Sequence, residues 1–188
     1  MKELSLYSLI KEDINEEMFL HTVEGMRLMS HQIESIVLEE GLETDMFVGF
    51  QKYSAFVPQI LRYRRLAEVA SSIYLFGQPN WSLAPLPRTA YIPLSRNHPL
   101  TREWFIVVNS SVLSCALVAR ERIGMYGERY FQGVWTYKPE LVLRCDSSLR
   151  NVLGINVKPW LNYNNEQQHR YAQKMKQALR GLVPAAGD

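Results

Sequence analysis

Apolar and polar positions along the chain follow two periods. Residues 46–50 (MFVGF) and 72–76 (SIYLF) are short apolar runs rich in β-branched and aromatic side chains, the composition of strands. Between them the pattern becomes helical. At 100° per residue Ile60, Tyr63, Leu66, Ala67 and Ala70 share one face, with Arg65 and Glu68 opposite and Arg64–Glu68 spaced for a weak i, i+4 pair. Pro58 fits the first helical position, where its missing N–H costs nothing. The 47–77 stretch therefore reads as strand–helix–strand. It places Gln51 at a strand end and Arg62 and Tyr63 on a helix flank, where polar groups reach a pocket. The run RYRR at 62–65 allows two readings: a solvated basic edge with snorkelling stems, or an Arg62 turned inward to a carboxylate or an anionic ligand.

Upstream, residues 1–14 read as a short lead, an edge strand or turn around LSLYSLI. A long helix is expected from Asn15, a good N-cap, to Gly41, a good stop. Met18, Val23, Met26, Met29, Ile33, Ile36 and Val37 give it an apolar stripe, read as core or as a dimer seam. The same segment carries six Glu against one Arg. Downstream, Pro79, Pro85 and Pro87 forbid regular structure in GQPNWSLAPLPR, leaving Trp81 as a lid over a pocket or as an anchor. Strands are predicted at 89–94, 103–109, 113–121 and 130–137, with Asn109-Ser110-Ser111 turning the second into the third as an antiparallel hairpin. From Pro139 the period is helical as far as Gly154. An irregular connector then leads to a last helix over 165–181, where Tyr171, Met175, Ala178 and Leu182 form a narrow stripe between basic flanks. The order predicts an α+β domain with a mixed, mainly antiparallel central sheet of about five to six strands. A long N-terminal helix, a crossover helix and C-terminal helices flank it. Residues 1–163 form the domain and 164–188 a basic amphipathic extension.

Composition changes this picture little. The 188 residues suffice for one well-cored domain, and 47% hydrophobic with 21% charged is ordinary for a soluble protein. A formal charge of +2 argues against direct nucleic-acid binding. Cys115 and Cys145 show neither CxxC nor Cys/His metal spacing, so a reducing, cytoplasmic setting is expected. The N-terminus has no signal-peptide pattern, and no apolar run reaches the length of a membrane span.

Catalysis is not expected. GxSxG and phosphate-loop motifs are absent, and His21, His31, His98 and His169 are scattered. Polar residues embedded in apolar strands are more informative. Gln51 ends FVGF, Glu103 opens the strand EWFIVV beside Trp104, and Arg62 flanks the helix between. Buried groups of this kind must be hydrogen-bonded, and an Arg–carboxylate pair does so most strongly. Gln51, Arg62, Tyr63, Glu103 and Trp104 are thus the candidate set, either lining a ligand site or forming an internal polar network in which Arg62 pairs with Glu103.

GFQ at 49–51, RY at 62–63 followed by Leu66 and Ala67, YLFG at 74–77, EWF at 103–105, then the SCALVARE and FQGVWTY strands, in this order and spacing, resemble the DICT domain. That is a bacterial sensory domain named for diguanylate cyclases and two-component systems, and the likeness runs over about residues 4–160. The resemblance implies a non-enzymatic input module of bacterial, notably cyanobacterial, signalling with a part in light-linked responses. It implies a signalling protein or photoreceptor as partner, but it assigns no ligand or chromophore site, so any cofactor stays unknown. Two readings stand: a module binding a small ligand or a signalling partner, and an interaction adaptor without ligand. A bilin-type chromophore on Cys145 or Cys115 is a lesser third, since neither has an attachment context. The acidic first helix and basic last helix are expected to pair, and a homodimer is expected whose interface uses part of helix 15–40, helix 165–181 or both; the alternative is that Met18, Met26 and Met29 pack on the sheet of their own subunit.

Overall fold

The computed structural model of the chain describes residues 3–13, 19–156 and 163–180. Its strands are β1 (Phe19–Thr22), β2 (Asp45–Lys52), β3 (Ser72–Gln78), β4 (Thr89–Pro93), β5 (Glu103–Asn109), β6 (Ser114–Ile123) and β7 (Arg129–Thr136). They form one mixed sheet in the order β1-β7-β6-β5-β2-β3-β4. Strands β2, β3 and β4 are parallel, and every other pairing is antiparallel. The helices are α1 (Leu6–Ile10), α2 (Val23–Glu39), α3 (Tyr53–Phe56), α4 (Ile60–Val69), α5 (Pro139–Leu153) and α6 (Asn165–Arg180).

Strict alternation along the central strands sorts their side chains into two cores. Val48, Ile106, Cys115 and Leu117 face α2, α4 and α6 on one side. Phe47, Phe105, Val107 and Val118 face α1 and α5 on the other. Gly49 stands opposite Phe105 in the ladder, and a Cβ there would lie 2.2 Å from the Phe105 ring, so only glycine lets that ring lie across β2.

Several expectations are corrected by tertiary context. The sheet has seven strands because β1 occupies residues assigned to the long helix. A four-residue strand has no signal of its own; it exists because β7 offers a free edge. Thr22 then caps α2, its Oγ1 accepting from the Gly25 N–H at 3.2 Å, so the helix begins at Val23. The expected cap Asn15, and Met18, lie outside the described residues. Its end is as expected, with Gly41 at φ +63°. The lead is neither edge strand nor turn but α1, capped by Ser5. Pro58 does not open an α-helix; it sits in a 3-10 turn, Val57–Gln59, between α3 and α4. Trp81 is 59% exposed.

Helix α6 packs on α2 within the chain. Tyr171 and Met175 are buried in the same core as Met26, Met29 and Ile33. Lys174 reaches Glu39 at 2.8 Å and Arg170 reaches Glu40 at 3.2 Å. These pairs are half-exposed and contribute little; the buried Tyr and Met hold the helix. The connector at 157–162 and Leu182 lie outside the described residues. Both cysteines are free and buried. Burial pushes the Cys145 thiol up to about 12 and the Cys115 thiol further. No described helix is long and apolar enough to cross a membrane.

Candidate functional site

A cavity of about 590 Å³ opens where β2 ends and the chain turns through α3 toward α4. Its floor is the α2-facing side of the sheet: Val48, Phe50, Trp104 and Ile106. Ser30, His31 and Glu34 of α2 form one wall and Tyr63 of α4 closes the back. The volume lies in the range of small-molecule pockets.

Each wall is held by side-chain bonds that leave the cavity open. Phe50 meets Tyr63 and Phe56 edge-on at 5.4 and 5.1 Å, which fixes the aromatic floor. The Trp104 indole N–H donates to Ser30 Oγ at 2.8 Å, and that hydroxyl donates to the Met26 carbonyl at 2.9 Å. His31 Nε2 donates to Gln59 Oε1 at 3.1 Å. Glu34 is 2% exposed. It accepts from Tyr63 OH at 2.8 Å and from Arg62 Nε, while Arg62 Nη2 also donates to the His31 carbonyl and Ser35 Oγ, each at 2.9 Å. Burial holds the Glu34 carboxyl above the ordinary range, against the downward pull of Arg62 and Tyr63. Burial, then Glu34, pushes the Tyr63 phenol well up.

At the rim β2 carries a bulge between Gly49 and Lys52, and Gln51 there adopts φ +59°. That region costs a non-glycine residue of order 1–3 kcal/mol and persists only where surroundings enforce it. The bulge brings Gln51 to the cavity instead of the opposite face that alternation would assign. Its amide donates to Glu121 at 3.3 Å and accepts from Arg129 at 2.9 Å, and Arg129 also pairs with Glu121.

The five candidate residues thus fall into different places. Gln51, Tyr63 and Trp104 line the cavity, and Arg62 braces its wall through Glu34. Glu103 is not with them: the expected Arg62–Glu103 pair does not form. Period 2 puts Glu103 on the sheet face opposite to its neighbour Trp104, while α4 covers the Trp104 side. Fully buried, Glu103 accepts from the Leu6 and Tyr7 N–H groups at 2.9 and 3.2 Å and from Ser5 Oγ, with Arg120 at 4.0 Å. It pins α1 to the sheet. Burial raises its pKa as well.

Residues that the sequence pattern did not single out complete the site. Glu34 had a signal, a carboxylate four residues after Ser30 and one after Ile33 inside an apolar stripe. Ser30 and His31 share that helix, while Lys52, Glu121 and Arg129 had no pattern to mark them. The serine and threonine hydroxyls around the cavity are engaged structurally: Ser54 accepts from Asn80 Nδ2 at 2.9 Å and Thr101 donates to the His98 carbonyl at 2.7 Å. None is bonded to a base. Among the described residues no three His, Cys, Asp or Glu side chains converge as a metal site needs. Neither cysteine lines the cavity.

An α+β domain with a braced, aromatic-floored cavity has chemistry suited to recognition. Residues 3–122 match the family described as a sensory domain in diguanylate cyclases and two-component systems (DICT), and the chain belongs to that family. The matched segment spans α1 to β6; the FQGVWTY strand and Arg129 lie beyond it. No curated protein and no solved structure matches the chain. As a DICT domain its role is sensory, in signal transduction.

Proposed function

We propose that this chain is a non-enzymatic sensory module whose input is a small molecule held in the cavity and whose output leaves through α2 and α6. The observation that carries the reading is the strained, bonded Gln51 at the mouth of an open aromatic cavity, since strain of this kind collects at functional sites. Helix α2 supplies Ser30, His31 and Glu34 to the cavity and, two turns on, Glu39 and Glu40 to α6. A ligand that shifts α2 therefore changes the footing of α6, which serves in this proposal as an extension of the domain. The signalling partner is a bacterial, cyanobacterial protein or photoreceptor in a light-linked, cytoplasmic response. A homodimer belongs to the same proposal. Its seam is not the stripes of Met26, Met29, Tyr171 and Met175, which are spent inside one chain. A thermal-shift screen against a metabolite library tests the reading. A true input raises the melting temperature of the wild type in proportion to its occupancy and leaves Ala55→Trp, which plugs the mouth, unmoved; no such compound in a broad library would refute it.

One observation favours the adaptor reading. Met125 and Tyr126, at the β6–β7 turn, are 90% and 92% exposed. Two large apolar side chains on a hairpin tip suit a protein contact. Partner capture abolished by Met125→Ser/Tyr126→Ser but untouched by Ala55→Trp would support it.

A further inference from the structure

Charge accounting around the cavity narrows what it takes, given the reading of the cavity as a ligand site. Two carboxylates line it, and each already has a cation: Glu34 has Arg62, and Glu121 has Arg129. A second lining cation besides Arg129, Arg27, is engaged by Glu24 on its own helix. Lys52 differs. It lies at the end of β2, exposed beside the mouth, and among the described residues its ammonium has no carboxylate partner. After internal pairing the lining keeps one uncompensated charge, and it is positive.

A cationic ligand finds neither a free carboxylate nor a rim free of positive charge. A fully neutral one leaves Lys52 unused. The floor of Phe50, Trp104 and Ile106 with the edge of Tyr63 calls for a flat apolar body, because such side chains pack best on a planar π surface. We propose that the cavity takes a small amphipathic anion: a planar apolar body bearing one carboxylate, sulfonate or phosphate group, the body on the aromatic floor and the anion at Lys52.

Two fluorescent probes sharing one aromatic body test this on the full chain. Anilinonaphthalene sulfonate carries the anion; phenylnaphthylamine lacks it. The sulfonate should bind the wild type more tightly by about fivefold, the upper size of one exposed ion pair. Lys52→Gln should remove that preference while leaving phenylnaphthylamine affinity unchanged, and Ala55→Trp should abolish binding of both. The preference should also shrink in high salt. Equal affinity of the two probes, or tighter binding of the cationic dye thioflavin T, overturns the anion assignment and leaves the cavity as a ligand site. Binding that survives Ala55→Trp, or no binding of either probe, overturns both.

Discussion

Removing Arg62 exposes what the buried pair at the back of the cavity is worth. The Glu34 side chain is 2% exposed and that of Arg62 24%, so Arg62→Ala leaves a carboxylate in a dry site with only Tyr63 OH as donor. Stripping one partner from a buried ion pair costs about 3–5 kcal/mol. The wet outer side of Arg62 places this case near about 3 kcal/mol, a fall of about 6–12 °C in melting temperature for a domain of this size. The cost should depend on pH with a definite sign. Without Arg62 the Glu34 pKa rises further. The folded state then holds a proton that the unfolded state releases, and stability falls as pH rises through that folded value. Calorimetric or circular-dichroism melts at pH 7 and pH 5 should show a smaller deficit at the lower pH. Glu34→Gln, which removes the charge yet keeps an oxygen for Tyr63, should recover part of it in the double variant. A deficit under about 1 kcal/mol, equal at both pH values, would mean the pair behaves as a surface contact and would refute the reasoning.

Three further outcomes are expected. Because burial raises the Glu34 carboxyl even with Arg62 in place, the wild type should gain stability relative to Glu34→Gln as pH falls from 7 toward the ordinary carboxylate range; paired melts check this, and the opposite slope contradicts it. Met175→Ala should cost about 2–5 kcal/mol and Lys174→Ala less than about 1 kcal/mol, since buried contacts and not the ion pairs hold α6; denaturant titration separates them. Both thiols should resist a disulfide reagent until the chain unfolds, because Cys115 and Cys145 are buried with raised pKa values; rapid labelling of either in the native protein would contradict the packing.

Much of the fold was legible because local pattern and tertiary demand agreed. Residues 103–109 hold a continuous β-rich apolar run, WFIVV, of strand length, and Ile60, Tyr63, Leu66 and Ala67 mark one buried helix face; the structure keeps both. Strand β1 was illegible because its four residues become a strand only against β7. At the site, the polar residues set in apolar runs were the right signal, but linking them needed faces as well as types. Glu103 was joined to Arg62 although its neighbour Trp104 occupies the α4 side of the sheet, and period 2 then excludes Glu103 from it. The partner of Arg62 is Glu34, which reads as one of several acids on a helix until its place in the Met26, Ser30, Ile33, Val37 stripe is considered. The Gln51 bulge breaks alternation and carries no sequence signal.

The central claim, that the cavity is the input of a sensory module, is tested most directly by native mass spectrometry of the full chain purified from a cyanobacterial host. Wild type and Ala55→Trp would be compared, with visible absorbance recorded alongside. The account predicts that the wild type carries a noncovalent species, on the order of a few hundred daltons as a cavity of this size admits, released on denaturation and missing from Ala55→Trp. An unliganded mass for the wild type, or the same adduct on both proteins, would contradict it.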